Sequence, residues 1–97
     1  MSKGVGKLQT AILGLLRGEI RKMVYGGCGD HTTPELVDEL LAHGILNADK
    51  PRRQHLWAIL RACDSLARRE LLDGKYVYSD DQRCEVVMWS LKGETAP

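Results

Sequence analysis

A mainly helical α+β domain is predicted by three observations. Apolar residues recur at three- and four-residue steps over most of the chain. Start and stop signals cut that region into three helical segments. The remainder turns β-branched and aromatic on either side of a short polar run, the pattern of a hairpin.

The 97 residues fit one domain. Hydrophobic residues at 43% and charged residues at 28% are ordinary globular usage, which argues against a disordered chain. No apolar run approaches the ~18 residues that span a bilayer, and Met1 to Gly6 lacks the apolar stretch of a secretory signal, so a cytoplasmic location without membrane contact is expected. A domain this small has a limited core, and a partner subunit, giving a homodimer, is the expected source of added stability.

The first helix is expected over Lys7 to Val24, where Leu8, Ile12, Leu15, Leu16, Ile20 and Met23 form one stripe. Gly26, Gly27 and Gly29 end it. Thr32-Thr33-Pro34-Glu35 then carries a hydroxyl cap, a first-turn proline and an early carboxylate, so the second helix opens at Thr32 or Thr33. Leu36, Val37, Leu40 and Leu41 give it an apolar stripe, and His43-Gly44 stops it. Ile45 and Leu46 are expected to anchor the following turn in the core.

Pro51, with Asp49 as a candidate cap, starts a third helix predicted to reach about Leu72. Leu56, Ile59, Leu60, Cys63, Leu66 and Ala67 make its inner face. At ~100° per residue, Gln54, Ala58, Arg61, Ser65 and Arg68 lie opposite Leu56, on a polar, basic face without acidic side chains, with Trp57 near the stripe's edge. Asp73-Gly74 breaks the helix. Strands are predicted over Lys75 to Ser79 and Cys84 to Leu91, joined by the turn Asp80-Asp81-Gln82-Arg83.

Net charge is only +1, yet it is segregated along the chain: residues 1–27 carry +4, 28–49 carry −5, 50–75 carry +4 and 76–97 carry −2. The third helix therefore lies in a basic segment, preceded and followed by acidic ones.

Three helices followed by a hairpin, with the stretches Thr33-Pro34-Glu35-Leu36-Val37-Asp38-Glu39-Leu40-Leu41 and Leu66-Ala67-Arg68-Arg69-Glu70-Leu71-Leu72-Asp73-Gly74-Lys75, are similar to the winged helix-turn-helix family of prokaryotic regulators. The resemblance implies a flexible N-terminus at 1–6, a winged-helix domain over 7–91 with a two-stranded wing, and a loose tail at 92–97. Two departures stand out. The connector from His43 to Lys50 is longer than the usual three- or four-residue turn, and the strand that often precedes the second helix is reduced to a bridge around His31-Thr32.

In that family the third helix enters the major groove of double-stranded DNA, which implies DNA-binding roles for residues here. Arg52, Arg53 and Gln54 lie at the end that reaches bases, where Arg suits guanine and Gln suits adenine. Trp57, Arg61, Ser65 and Arg68 continue the surface, the last three towards phosphate. A solvated helical face is the plainer account of the same arginines. In the wing, Asp80 and Asp81 would repel phosphate, leaving Arg83 and Lys75 as contacts. The function implied is transcription regulation by a DNA-binding homodimer. A winged-helix protein-interaction module, or a DNA-binding component of a replication or partition complex, stands beside it. Trp89, Tyr78, Leu15 and Met23 are readable either as a dimer seam or as core.

Cys28 and His31 are spaced to share a metal ion, but His43, His55, Cys63 and Cys84 add no paired ligand spacing, so no metal is expected. The cysteines give no disulfide framework; Cys63 and Cys84, in apolar stretches, are expected to pack as small hydrophobes. The glycine-rich loop lacks the Gly-Lys-Ser/Thr ending of a phosphate-binding loop. No nucleophile with a positioned base is recognisable, so neither enzymatic activity nor a cofactor is expected.

Overall fold

The computed structural model describes residues 6–25 and 30–92. Its elements run α1 (Lys7–Arg17), β1 (His31–Thr32), α2 (Thr33–Ala42), α3 (Arg52–Arg68), β2 (Leu72–Ser79) and β3 (Cys84–Leu91). Among the described residues the architecture is α+β: three helices and an antiparallel sheet. The sheet has three strands in the order β1-β3-β2, so the hairpin is not a free two-stranded ribbon. His31 and Thr32 pair with Trp89 and Met88, adding β1 to the edge of β3. No helix among the described residues is long and apolar enough to cross a membrane.

Helix α1 stops seven residues short of the predicted Val24. Gly18 takes a left-handed φ of 81°, and Glu19 and Ile20 donate back to the Gly14 carbonyl, which closes the helix. The chain that follows is held by α2. Glu39, fully buried, accepts the backbone N–H groups of Met23 (2.9 Å), Val24 (3.0 Å) and Tyr25 (2.6 Å). Met23 consequently leaves the predicted stripe and is 62% exposed.

The start of α2 follows its local signals. Thr32 accepts the Glu35 N–H, and the Glu35 carboxylate accepts the Thr32 N–H at 3.0 Å, a reciprocal box with Pro34 in the first turn. At the other end Ile45 and Leu46 donate to the Leu40 carbonyl and pack on the core as expected. Asp49 does not cap α3: its own N–H is taken by the Asn47 side chain, and Pro51 occupies the cap position without a side-chain bond.

Helix α3 differs from the prediction in length and in rotation. It ends at Arg68 because Arg69 closes it and Glu70 turns left-handed, φ 62°, letting β2 begin at Leu72 rather than Lys75. Its buried residues are His55, Ile59, Ala62, Cys63 and Leu66, with Leu56, Leu60 and Ala67 only half-buried. The helix is thus turned by roughly 60° from the predicted setting, at ~100° per residue. His55 makes this possible: its Nε2–H donates to the Asn47 carbonyl at 2.8 Å, so a polar ring is satisfied on the inner face.

The core joins Ile12, Leu15 and Leu16 of α1, Leu36, Val37 and Leu40 of α2, the inner face of α3, and Leu72 and Trp89 of the sheet. Trp89, 5% exposed, donates its indole N–H to Thr33 at 3.0 Å and lies against Gly74. A Cβ at position 74 would stand 2.6 Å from the indole ring, so the residue there has to be glycine for the tryptophan to seat. Leu15 and Trp89 therefore belong to the core of the single chain.

Candidate functional site

The outer side of α3 is turned to solvent. Arg53, Gln54, Trp57, Arg61, Asp64 and Arg68 are all exposed. At ~100° per residue they fall within one sector of the helix. Trp57 sits in the middle of that sector and is 63% exposed, not at the edge of the apolar stripe. Ser65 and Ala58 lie on its margin, half-buried. The face also carries an acid the predicted setting placed elsewhere: Asp64 meets Arg68 at 3.2 Å, an exposed pair one helical turn apart. Among the described residues, neither Arg53 nor Arg61 takes part in an ion pair.

Arg52 belongs to a different arrangement. Its guanidinium meets Asp38 of α2 at 2.7 Å and lies 3.5 Å from the Pro34 carbonyl. Asp38 also accepts the Tyr25 hydroxyl at 2.6 Å. The shared carboxylate ties the segment after α1, the second helix and the first turn of α3 together. The same hydrogen bond, with burial and the charges of Asp38 and Glu35 adding, pushes the Tyr25 phenol up to about 12. Glu39, one residue along α2, is moved in the other direction. Burial alone would raise its carboxyl, but the amides of Tyr25, Met23 and Val24 and the nearby His31 outweigh it and hold the group below the ordinary carboxylate range.

Alongside the exposed face runs a groove of about 440 Å3, between α3 and the hairpin. Trp57, Leu60, Arg61, Asp64 and Ala67 supply the helical wall; Gly74, Tyr76, Val87 and Trp89 supply the strand wall. Tyr76 pairs with Val87 across the hairpin and is 74% exposed. Lys75, the next residue back, lies on the opposite face of the sheet by the two-residue alternation of a strand, so it is not brought to α3. Arg83 sits in the hairpin turn with φ 57°, exposed and adjacent in sequence to Cys84, itself exposed rather than packed. Asp81 of the same turn lines a separate cleft with Glu35 and Asp38. The acidic tip thus faces the acidic side of α2.

The structure therefore brings Arg53, Gln54, Trp57, Arg61 and Arg68 onto one surface, leaves Ser65 at its margin, turns Arg52 and Lys75 away from it, and places Arg83 in the exposed hairpin turn. Tyr76, Asp64 and the Asp38 partner of Arg52 were missed by sequence reasoning. The four-residue spacing of Asp64 and Arg68 could have signalled their pair; Asp38 and Arg52 stand 14 residues apart on two helices and carry no such signal. Cys28 lies outside the described residues, and with it the Cys28–His31 spacing; His31 itself is buried with Nδ1 3.2 Å from Glu35. Burial pushes the Cys63 thiol well above its ordinary value, leaving it an unreactive part of the core. In comparisons with protein-family models, curated proteins and solved structures, the chain matches none.

Proposed function

We propose that this chain is a winged-helix DNA-binding domain that lays the outer face of α3 in the major groove of duplex DNA. The observation that carries the reading is the pair Arg53 and Arg61: exposed, on one side of a 17-residue helix, and outside every ion pair among the described residues. Guanidinium groups so placed can bind guanine edges or phosphates without first breaking an internal ion pair. Gln54 adds a side chain suited to adenine. Arg68, shared with Asp64, and Ser65 fit a peripheral role at the phosphates.

The element order supports the same reading. A short strand before α2, then two helices, then a hairpin whose far strand pairs back with the short one, is the arrangement expected of a winged helix. Arg52 is removed from the contact set and becomes a brace for the first turn of α3. Asp80 and Asp81 remove the hairpin tip from the phosphates. The functional unit in this reading is a homodimer regulating transcription, with two copies of α3 set about one helical turn apart on the DNA.

The test is fluorescence anisotropy of labelled random-sequence duplex at low salt. The proposal expects saturable binding by the native chain and at least a tenfold loss on replacing Arg53 and Arg61 together, since each charge-assisted contact is worth ~1.5–3 kcal/mol. Absence of duplex binding by a folded chain would reject it.

A further inference from the structure

The groove beside α3 has features that duplex recognition does not use. Its two exposed aromatic rings come from different elements, Trp57 from the helix and Tyr76 from β2, and both stand open to solvent. Between and behind them the floor is apolar: Leu60, Ala67, Val87 and the edge of Trp89. Gly74 has no side chain to fill it, because the Trp89 ring occupies the space where a Cβ would stand. Arg61 supplies a cation at the wall, and Asp64 supplies the one acidic acceptor.

Major-groove readout uses the edges of base pairs, whose faces are already covered by their stacked neighbours. An aromatic ring gains most from a base whose face is open, which is a base in a single strand. The cavity is of the size that holds a small planar ligand. Charge decides between occupants: Arg61 lines the groove and Arg53 and Arg68 lie on the same exposed sector of α3, while Asp64 alone opposes them, which favours a polyanion over a neutral peptide.

We infer that the α3–β2 groove binds an unstacked base of single-stranded DNA, held on the rings of Trp57 and Tyr76 with Arg61 on the adjoining phosphate. Asp64 is placed to accept a hydrogen bond from an exocyclic amino group, so cytosine, adenine and guanine, which carry one, are favoured over thymine at this position. The inference rests on the nucleic-acid reading above, shares Trp57 and Arg61 with the face of α3 assigned there to duplex DNA, and adds Tyr76 and the groove floor as contacts for a single strand.

The experiment titrates the native chain with a single-stranded oligonucleotide of about 12 residues, matched in composition to a duplex competitor, while following tryptophan emission and sizing the protein. The inference expects quenching that falls severalfold in Trp57→Phe, which keeps most of the binding, because Trp57 is 63% exposed and only the edge of Trp89 reaches the groove. Tyr76→Thr, conservative for a strand, is expected to weaken single-strand binding about tenfold while duplex binding stays within about twofold. Circular dichroism on each variant secures that it is folded.

Duplex binding without single-strand binding overturns the inference and leaves the duplex proposal standing. Single-strand binding without duplex binding does the reverse. If neither nucleic acid binds, both fall. A chain that binds no strand but forms a dimer, which Trp57→Ala dissociates, identifies the groove as an interface between copies and overturns the inference as well.

Discussion

In α2, the carboxylates of Asp38 and Glu39 are occupied from within the chain: one by Tyr25 and Arg52, the other by three backbone amides. In α3, the guanidinium groups of Arg53 and Arg61 face water beside an open aromatic groove. Both helices are amphipathic and similar in charge density, yet only the second leaves its charges available to something else. The difference separates polar residues that set the structure from polar residues that the structure leaves without work. It also moves Arg52, adjacent to Arg53, into the first group.

The sharpest way to break the comparison is at Glu39. Replacing it by Ala strands three amides that now have a charged acceptor, and unfolding by urea should show a loss of about 3 kcal/mol; Glu39→Gln, which keeps one acceptor oxygen, should lose roughly half as much. If Glu39→Ala is as stable as the native chain, α2 is not the internal clamp described. The same residue sets a pH dependence. Its folded carboxyl binds a proton less tightly than in the unfolded chain, so its contribution is complete above the ordinary Glu value of about 4.3 and is lost as pH falls through the lower folded value. Urea midpoints between about pH 6 and about pH 3 should fall with acid, and Glu39→Gln should flatten the decline.

A smaller effect is expected at the groove floor. Gly74→Ala drives a methyl into Trp89 and should cost about 2 kcal/mol, read from the same urea midpoints. Smaller again is Arg52→Ala, whose partly exposed pair with Asp38 is worth about 0.5 kcal/mol. Its effect on duplex affinity should be several-fold below that of the Arg53 and Arg61 double replacement, as measured by anisotropy. An equal effect would return Arg52 to the contact surface.

How much of this was legible in the sequence depends on how far apart the causes lie. The start of α2 was readable because Thr32, Pro34 and Glu35 are neighbours, and β3 was readable from its own run of Val86, Val87, Met88 and Trp89. The end of α1 is set locally by Gly18 but was masked by the apolar stripe running on to Met23, and the course of residues 23–25 was not legible, because the acceptor that captures them is Glu39, some fifteen positions on. A carboxylate three residues from Leu36, on a helix whose apolar side is buried, was the available sign. The rotation of α3 was hidden for a similar reason: His55 turns inward only because the connector presents the Asn47 carbonyl to it. Gln54, Arg61 and Arg68 could be named from periodicity alone and Arg53 from its place at the start of the helix, whereas the groove needs β2 beside α3, a juxtaposition no local pattern encodes.

The claim on which the functional account turns is that Arg53 and Arg61 are charges held ready for DNA. The direct measurement is the salt dependence of random-duplex affinity for the native chain and for the variant lacking both arginines. The account predicts a steep fall in affinity with salt for the native chain and a logarithmic slope shallower by about one to two in the variant, about one for each of the two arginines that meets a phosphate on random duplex. An unchanged slope would contradict it.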